Sequence, residues 1–228
     1  TVELSSGEKI DTKTIIIATG ARWRELNVPG EKENLGNGVA YCPHCDGPFF
    51  KNKDVAVVGG GNSGIEAALD LAGIVKKVTV LEFMPDLKAD KILIDKAEAK
   101  DNIEIIKNAQ VERVVSEQGK VTGLDYLDRN TTNQRTVDLD GIFVQIGLVP
   151  NSQFLVNVVK LSSNGEIVVN ENGETSEKGI YACGDVTTVP YKQIIISMGE
   201  GAKTALSVAD YLMKTEDYDI ELVGAKSA

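Results

Sequence analysis

Hydrophobic positions along the chain fall mostly into short, β-branched runs bounded by glycine or polar residues, which is the pattern of buried strands. The clearest runs are Thr14–Ala18, Val55–Val58, Val78–Glu82 and Gly141–Gly147. Weaker runs predict further strands within residues 2–10 and over 103–106, 111–116, 121–126, 136–139, 166–169 and 179–183.

Helical periodicity replaces this pattern in three places. After Val55–Val58, apolar residues that include Ile65, Ala68 and Ala72 share one helix face, and Gly73 is expected near its end. Further helices are predicted over about 89–100 and 194–213. Strands that alternate with helices favour an α/β fold with a parallel sheet.

Charge narrows the classes of partner. The 228 residues contain 24 basic and 34 acidic side chains, a formal net charge of -10. Nucleic acids and anionic membranes need clustered Lys and Arg, so neither is expected as a partner. No apolar run reaches the length of a membrane helix, and we expect a cytoplasmic protein. The chain begins at Thr1 without a methionine, so further sequence is expected upstream.

A glycine fingerprint follows the strand Val55–Val58 and opens the next helix. In Gly59–Gly64, the first glycine permits a tight turn, the third residue lets the backbone approach a pyrophosphate, and the last lets helix and strand pack closely. The helix N-terminus at Asn62 and Ser63 offers free N–H groups to an anion.

Glu82 ends the next strand, where its carboxylate would accept hydrogen bonds from an adenosine ribose and repel a 2′-phosphate. The nearest basic residue downstream is Lys88, and no arginine lies near Glu82 in the sequence. NADH is therefore favoured over NADPH. A glycine-rich turn in an unrelated α/β protein is the structural alternative.

Cys42 and Cys45 form a Cys-x-x-Cys pair just before the nucleotide fingerprint. Zinc would need about four ligands, and the other candidates are few: Cys183, and His44 inside the spacer. No metal site is therefore predicted. Two inert buried thiols are also possible. We favour a redox disulfide, for which Asp46 would supply a proton.

Electrons from NADH then need a carrier that accepts a hydride and passes it to sulfur, a role that flavin performs.

Several stretches together resemble the low-molecular-weight thioredoxin reductase family, and most closely its relatives, the alkyl hydroperoxide reductase flavoproteins. They are Cys42–Phe50, Gly59–Ala68, Thr14–Ala21, Phe143–Asn151, Gly179–Asp185 and Tyr191–Gly199. These stretches span nearly the whole chain.

The resemblance implies two nested dinucleotide-binding (Rossmann-like) domains of the pyridine nucleotide-disulfide oxidoreductase type. Residues 1–25 and 148–228 would belong to an FAD domain, and 26–147 to an inserted NAD domain. It also implies cofactor-binding roles for Thr19, Gly20, Gly147, Gly184, Asp185, Lys192, Gln193 and Ile194. The family uses two glycine fingerprints and this chain has one, so we expect an incomplete FAD domain in a C-terminal fragment.

The same resemblance assigns roles to the predicted catalytic residues. Cys45 would face the flavin, Cys42 would exchange with the outgoing partner, and Asp46 would act as acid and base. The implied partners are a thioredoxin-like domain and a two-cysteine peroxiredoxin, with a homodimer as the assembly. A thioredoxin reductase acting on free thioredoxin is the alternative enzyme, and a non-catalytic NAD-binding module is the alternative of another class.

Overall fold

The computed structural model describes residues 1–215. The strands are β1 (Val2–Glu3), β2 (Lys9–Ile10), β3 (Ile15–Ile17), β4 (Ala21–Trp23), β5 (Val39–Ala40), β6 (Asp54–Val58), β7 (Lys77–Glu82), β8 (Ile103–Lys107), β9 (Ala109–Glu117), β10 (Lys120–Asp128), β11 (Asn133–Asp138), β12 (Gly141–Val144), β13 (Leu148–Pro150) and β14 (Ile180–Ala182). The α-helices are α1 (Pro43–Asp46), α2 (Asn62–Ala72), α3 (Lys91–Glu98) and α4 (Ile194–Lys214).

The chain divides into two compact units. One unit combines Thr1–Arg22 with the chain from Val149 onward, and the other is Trp23–Leu148. We call them the discontinuous unit and the inserted unit. The binding of FAD by one and NADH by the other stays a prediction, and residues 216–228 of the predicted FAD domain lie outside the described residues.

The inserted unit has three layers around a five-stranded parallel sheet of order β5-β12-β6-β7-β8. Alternate residues of its central strands point to opposite faces, as a strand's two-residue period requires. Val55, Val57, Val78 and Val80 pack against α2 and α3 on one face. The other face packs against the antiparallel sheet β11-β10-β9. Burial on both faces explains why the sequence of these strands is almost continuously apolar.

The discontinuous unit contains smaller sheets. β3 pairs in parallel with β14, and β1 pairs antiparallel with β2. Its core cluster joins β3 and β14 to apolar residues of the segment between Leu155 and Val186. The fully buried members include Ile167, Ala182 and Val186.

The predicted fold class is confirmed, and most of the predicted elements occur within a few residues of their expected bounds. The strand predicted over 166–169 is wrong. Only Ile167 forms isolated bridges there, with Leu161 and Thr187, and no ladder extends from it. The predicted strand over 141–147 is shorter than expected: β12 ends at Val144, and Gly147, three residues further on, adopts a left-handed backbone (φ 103°) that a strand does not use.

Candidate dinucleotide and disulfide sites

The glycine turn between β6 and α2 has the geometry that an anion cradle needs. Gly59 has φ 125°, and a side chain there would collide with the Gln145 carbonyl. A side chain at Gly64 would collide with the Gly59 carbonyl, so both positions require glycine. By contrast, a Cβ at Gly61 would meet nothing within 4 Å. No side chain caps α2 at this residue. Open space in front of uncapped N–H groups suits a pyrophosphate.

Glu82 ends β7 with its carboxylate turned back to this cradle. Oε2 accepts a hydrogen bond from the Gly60 N–H at 2.5 Å, and Oε1 accepts one from the Met84 N–H at 2.8 Å. A carboxylate oxygen has a second lone pair, so both oxygens retain capacity for hydroxyl donors. The backbone therefore fixes the carboxylate beside the glycine turn.

Asn62 and Ser63, the other predicted nucleotide contacts of this turn, are both exposed on the first turn of α2. The Asn62 side chain exchanges two hydrogen bonds with Asp90, donating to Oδ2 and accepting from the Asp90 N–H. Asn62 thus holds the start of α3 against the glycine turn. Gly147 follows β12, whose neighbour in the sheet is β6, so its loop opens on the same edge.

A cavity of about 510 Å³ lies beside Glu82 in the inserted unit. Its lining is mainly apolar and comprises Glu25, Leu26, Val28, Val58, Gly59, Leu81, Glu82, Phe83, Ala109, Gln110, Val111 and Ile146. A mainly apolar cavity with two carboxylates, Glu25 and Glu82, in its lining suits a nucleoside.

No arginine lies near Glu82 along the sequence, but in three dimensions an arginine contacts the next residue, Phe83. Arg129, at the end of the β10 hairpin strand, donates from Nη1 to the Phe83 carbonyl at 2.7 Å. Its guanidinium carbon also lies 3.9 Å from the centroid of the Phe83 ring. Pairing of distant strands brings it there, and no local pattern reveals this.

Cys42 and Cys45 are joined by a disulfide bond, with Cα atoms 5.2 Å apart. Cys42 caps α1, and its Sγ accepts a hydrogen bond from the Cys45 N–H at 3.2 Å. Asp46 is half-buried and lines a cavity of about 380 Å³ with Cys42 and Phe49. His44 Nδ1 lies 3.6 Å from a carboxylate oxygen of Asp70.

Sequence reasoning missed a buried network behind the disulfide. Glu31 is 1% exposed, and its carboxylate accepts hydrogen bonds from the Leu26 N–H, the Asn27 N–H and the Tyr41 hydroxyl. Burial first, and then Glu31, raises the pKa of Tyr41 well above its usual value. Nothing in the polar stretch around Glu31 distinguishes it from its exposed neighbours.

Gln145 connects this network to the nucleotide cradle. The side chain is buried, and its Nε2 donates to the Tyr41 carbonyl at 2.7 Å. The backbone carbonyl of Gln145 is the group that packs against Gly59. One residue therefore touches both the glycine turn and the residue that precedes Cys42.

In the discontinuous unit, two predicted cofactor segments meet at one sheet edge. Thr19 and Gly20 follow β3, while Gly184 and Asp185 follow β14, its parallel partner. The carboxyl ends of parallel strands are the usual place for a ligand. Asp185 Oδ1 accepts from the Ser197 hydroxyl at 3.0 Å, which brings the first turns of α4 to this edge.

The start of α4 carries the remaining predicted cofactor residues. Gln193 is its N-cap and provides no side-chain capping bond, and Ile194 is 84% exposed. The Lys192 ammonium is engaged internally, with the Thr187 carbonyl and the Glu166 carboxylate. Lys192 therefore positions the loop before α4. Cys183 is buried, as expected of a small core residue.

The nucleotide cradle, the disulfide and the second sheet edge define the class of protein. The family model for pyridine nucleotide-disulphide oxidoreductases matches residues 1–205, and the chain belongs to this family.

Named relatives make the comparison more specific. The chain is 57% identical over 214 residues to the alkyl hydroperoxide reductase F subunit of Pseudomonas putida, covering 94% of this chain and 41% of that protein. It is 54% identical to the protein of that name from Escherichia coli (strain K12), again covering 41% of its length. A Bacillus subtilis (strain 168) relative, also 54% identical, is named NADH dehydrogenase. The chain thus spans about two fifths of the length of these relatives.

Solved structures agree with this placement. The thioredoxin reductase of Streptococcus pyogenes is 37% identical with a TM-score of 0.82, and the match covers 89% of this chain and 66% of that one. The thioredoxin reductase of Giardia duodenalis is 28% identical with a TM-score of 0.86, over 92% and 69% of the two chains. Among residues 1–215, no helix has the length and apolar character to span a membrane.

Proposed function

We propose that this chain is the NADH-binding and disulfide-carrying part of a flavin-dependent disulfide reductase of the alkyl hydroperoxide reductase type. The observation that carries the proposal is the placement of a disulfide and a dinucleotide cradle in one unit, with Gln145 bonded to the residue before Cys42 and packed against Gly59. Its outgoing electrons would pass to a thioredoxin-like domain and then to a two-cysteine peroxiredoxin.

NADH would lie with its pyrophosphate at Gly59–Gly64 and its adenosine ribose on Glu82. NADH is favoured over NADPH here because the carboxylate of Glu82 and an added 2′-phosphate would repel one another. Backbone hydrogen bonds hold that carboxylate in place, so it cannot readily turn aside for the phosphate.

FAD would be held in the discontinuous unit by the residues at the β3–β14 edge and the start of α4. Two features support the fit. No side chain caps the N–H groups of the first turn of α4 after its N-cap Gln193, and Ile194 beside them is exposed. A bound flavin supplies two-electron transfer between a nicotinamide and a disulfide.

The chemistry at the disulfide balances as NADH plus one proton and a disulfide giving NAD⁺ and two thiols. Breaking the Cys42–Cys45 bond leaves a thiolate that Asp46, lining the same cavity, is placed to protonate. When Asp46 takes a proton back, the Cys42 thiolate attacks the partner's disulfide, and Cys45 then displaces the partner, which leaves as a dithiol with the two protons. The apolar cavity around Cys42 and Phe49 gives the partner a place to approach.

The enzyme would act in the cytoplasm as a homodimer. A thioredoxin reductase that acts on free thioredoxin is the second candidate, favoured by the solved structures that the fold matches. Both candidates share every electron-transfer step before the reduction of the partner.

The experiment compares three single variants in the full-length protein: Cys42→Ser, Cys45→Ser and, as the matched control, Cys183→Ser. NADH-dependent reduction of a peroxiredoxin and of free thioredoxin is measured for each. We expect both variants of the pair to lose activity at least a hundredfold and the control to retain it. Full activity of the Cys42→Ser and Cys45→Ser variants would overturn the redox role of the pair and leave this chain as an NAD-binding module that takes no part in the disulfide chemistry. Faster turnover with free thioredoxin would favour the second candidate.

The isolated 228-residue chain separates the two cofactors. We expect it to bind NADH more tightly than NADPH and to purify without the yellow colour of flavin. A near-stoichiometric content of FAD would show that the discontinuous unit holds the cofactor unaided.

A further inference from the structure

We infer that the Phe83 ring is the surface on which the adenine of the dinucleotide stacks, and that Arg129 is the positioning residue that holds this ring. The inference rests on the proposed binding of NADH and adds a part of the site that the glycine fingerprint and Glu82 leave unassigned. It concerns the recognition of the adenine base, as distinct from the pyrophosphate and the ribose.

Phe83 follows Glu82 directly and lies at the carboxyl end of β7. Phe83 is 47% exposed, yet it also lines the cavity beside Glu82. In a nucleotide the base is attached to the ribose, so a ribose on Glu82 places the base within reach of the next residue. A half-exposed aromatic ring at this position provides a flat apolar surface in the same cavity that Glu82 lines.

Arg129 fixes this ring in two ways. Its guanidinium lies 3.9 Å from the ring centroid, and Nη1 donates to the carbonyl of the same residue at 2.7 Å. Among the residues that the structure describes, no carboxylate lies within ion-pair distance of this guanidinium, so the ring and carbonyl of Phe83 are its partners there. Arg129 does not line the cavity, which means that it supports the ring from outside.

A backbone bracket completes the support. The Arg129 N–H donates to the Asn108 carbonyl at 2.8 Å, and the Asn108 N–H donates to the Met84 carbonyl at 3.1 Å. Met84 in turn donates to Glu82. The ribose ligand and the ring are thus fixed by one connected set of bonds. A site ordered before binding avoids the entropy cost of ordering on binding.

Stacking of a base on an aromatic side chain is worth about 1–3 kcal/mol, which corresponds to about 5- to 150-fold in affinity. Because the stack involves only the base, its loss is expected in ligands that contain adenine and in no others. A ligand that lacks adenosine therefore provides the internal control.

The experiment uses the 228-residue chain and three probes: NADH, ADP-ribose and reduced nicotinamide mononucleotide. Dissociation constants are measured by calorimetry for the wild type, Phe83→Leu, Phe83→Tyr, Arg129→Ala and Arg129→Lys. We expect Phe83→Leu to weaken NADH and ADP-ribose about tenfold while Phe83→Tyr retains them. Arg129→Ala is expected to weaken the same two ligands about threefold, and Arg129→Lys to weaken them less. The mononucleotide is expected to bind all five proteins equally.

The outcomes distinguish a failure of NADH binding from a failure of the stacking surface. If the wild-type chain binds neither NADH nor ADP-ribose, the proposed function fails. If it binds them and Phe83→Leu binds them equally well, the stacking surface is wrong while NADH binding stands. If Arg129→Ala weakens the mononucleotide as much as NADH, Arg129 serves the fold in general, and its positioning role is overturned. Thermal unfolding of each variant confirms that the comparison is between folded proteins.

Discussion

The two units place their apolar residues differently. In the inserted unit both faces of the parallel sheet are covered, and the large side chains of α2 that face the sheet are fully buried. In the discontinuous unit α4 is the longest helix described, yet Ile194, Ile195 and Leu206 are each more than 70% exposed. The apolar residues of the inserted unit thus form a closed core, whereas several of those on α4 remain at the surface.

This difference shows in which unit the residues that stabilise the fold also hold the predicted site. In the inserted unit the same packed interior holds the glycine turn and the segment before the disulfide, so its site is fixed by its core. In the discontinuous unit the predicted cofactor residues lie beside exposed apolar surface. Four predictions test this contrast.

The largest effect is expected from Glu31→Ala in the inserted unit. The change removes the buried carboxylate that accepts hydrogen bonds from three part-buried donors, the Leu26 N–H, the Asn27 N–H and the Tyr41 hydroxyl. Unsatisfied buried donors cost about 1–3 kcal/mol each, so we expect a loss of about 4 kcal/mol in the free energy of unfolding.

Trp23, the single tryptophan of the chain, lies in this unit and stacks on Tyr41, so its fluorescence during urea unfolding measures the change. The matched control is Glu33→Ala, an exposed glutamate two residues on, for which we expect a change within about 0.5 kcal/mol. A loss of unfolding free energy for Glu31→Ala as small as that for Glu33→Ala would show that Glu31 is an ordinary surface residue.

The next prediction compares the same substitution in two helices. Leu71 in α2 is 0% exposed and Leu206 in α4 is 73% exposed. Truncating a buried leucine costs about 2–5 kcal/mol, whereas exposed positions change stability by about 0.5 kcal/mol or less. We expect Leu71→Ala to destabilise the inserted unit by about 3 kcal/mol and Leu206→Ala to leave stability unchanged.

Hydrogen exchange resolved by residue suits this comparison, because two units need not unfold together. Similar losses for the two variants would contradict the contrast between a closed core and an exposed helix face.

The elements of this contrast were unequally visible in the sequence. The β6–α2–β7 unit was predicted closely because its signals are local: a buried run, a glycine turn, one helix face and a terminal glutamate. The missed features all depend on pairing between distant segments. Gln145 reaches Tyr41 through the order of strands in the sheet, and Arg129 reaches Phe83 through the hairpin that follows β9. The strand predicted over 166–169 failed because Ile167 packs into the core with single bridges to Leu161 and Thr187, and no ladder extends from them.

A smaller effect, dependent on pH, is expected at Asp125 on the outer sheet of the inserted unit. The hydrogen bond from Thr136 lowers the pKa of this carboxyl, and bonds from Arg113 lower it further. A lowered pKa in the folded state contributes stability above the unfolded-state pKa of about 3.9 and loses it as pH falls through the folded-state value.

Asp125→Asn is therefore expected to cost about 1 kcal/mol at pH 7, with the difference from wild type shrinking below about pH 4. Urea unfolding from pH 7 down to pH 3 measures this difference. A constant difference across that range would contradict the assigned cause. Asp138→Asn, on the adjacent strand and exposed, is the control.

The smallest effect concerns Cys183 in the discontinuous unit. Burial raises the pKa of its thiol, and the nearby Glu200 raises it slightly more, so little reactive thiolate forms near neutral pH. We expect a thiol reagent at pH 7.5 to modify no cysteine of the oxidised chain within minutes, and to modify two cysteines after a dithiol has opened the Cys42–Cys45 bond. Mass spectrometry counts the modified residues. Rapid modification of Cys183 in the oxidised chain would show that this part of the discontinuous unit opens, which would extend its exposed apolar surface from α4 into its core.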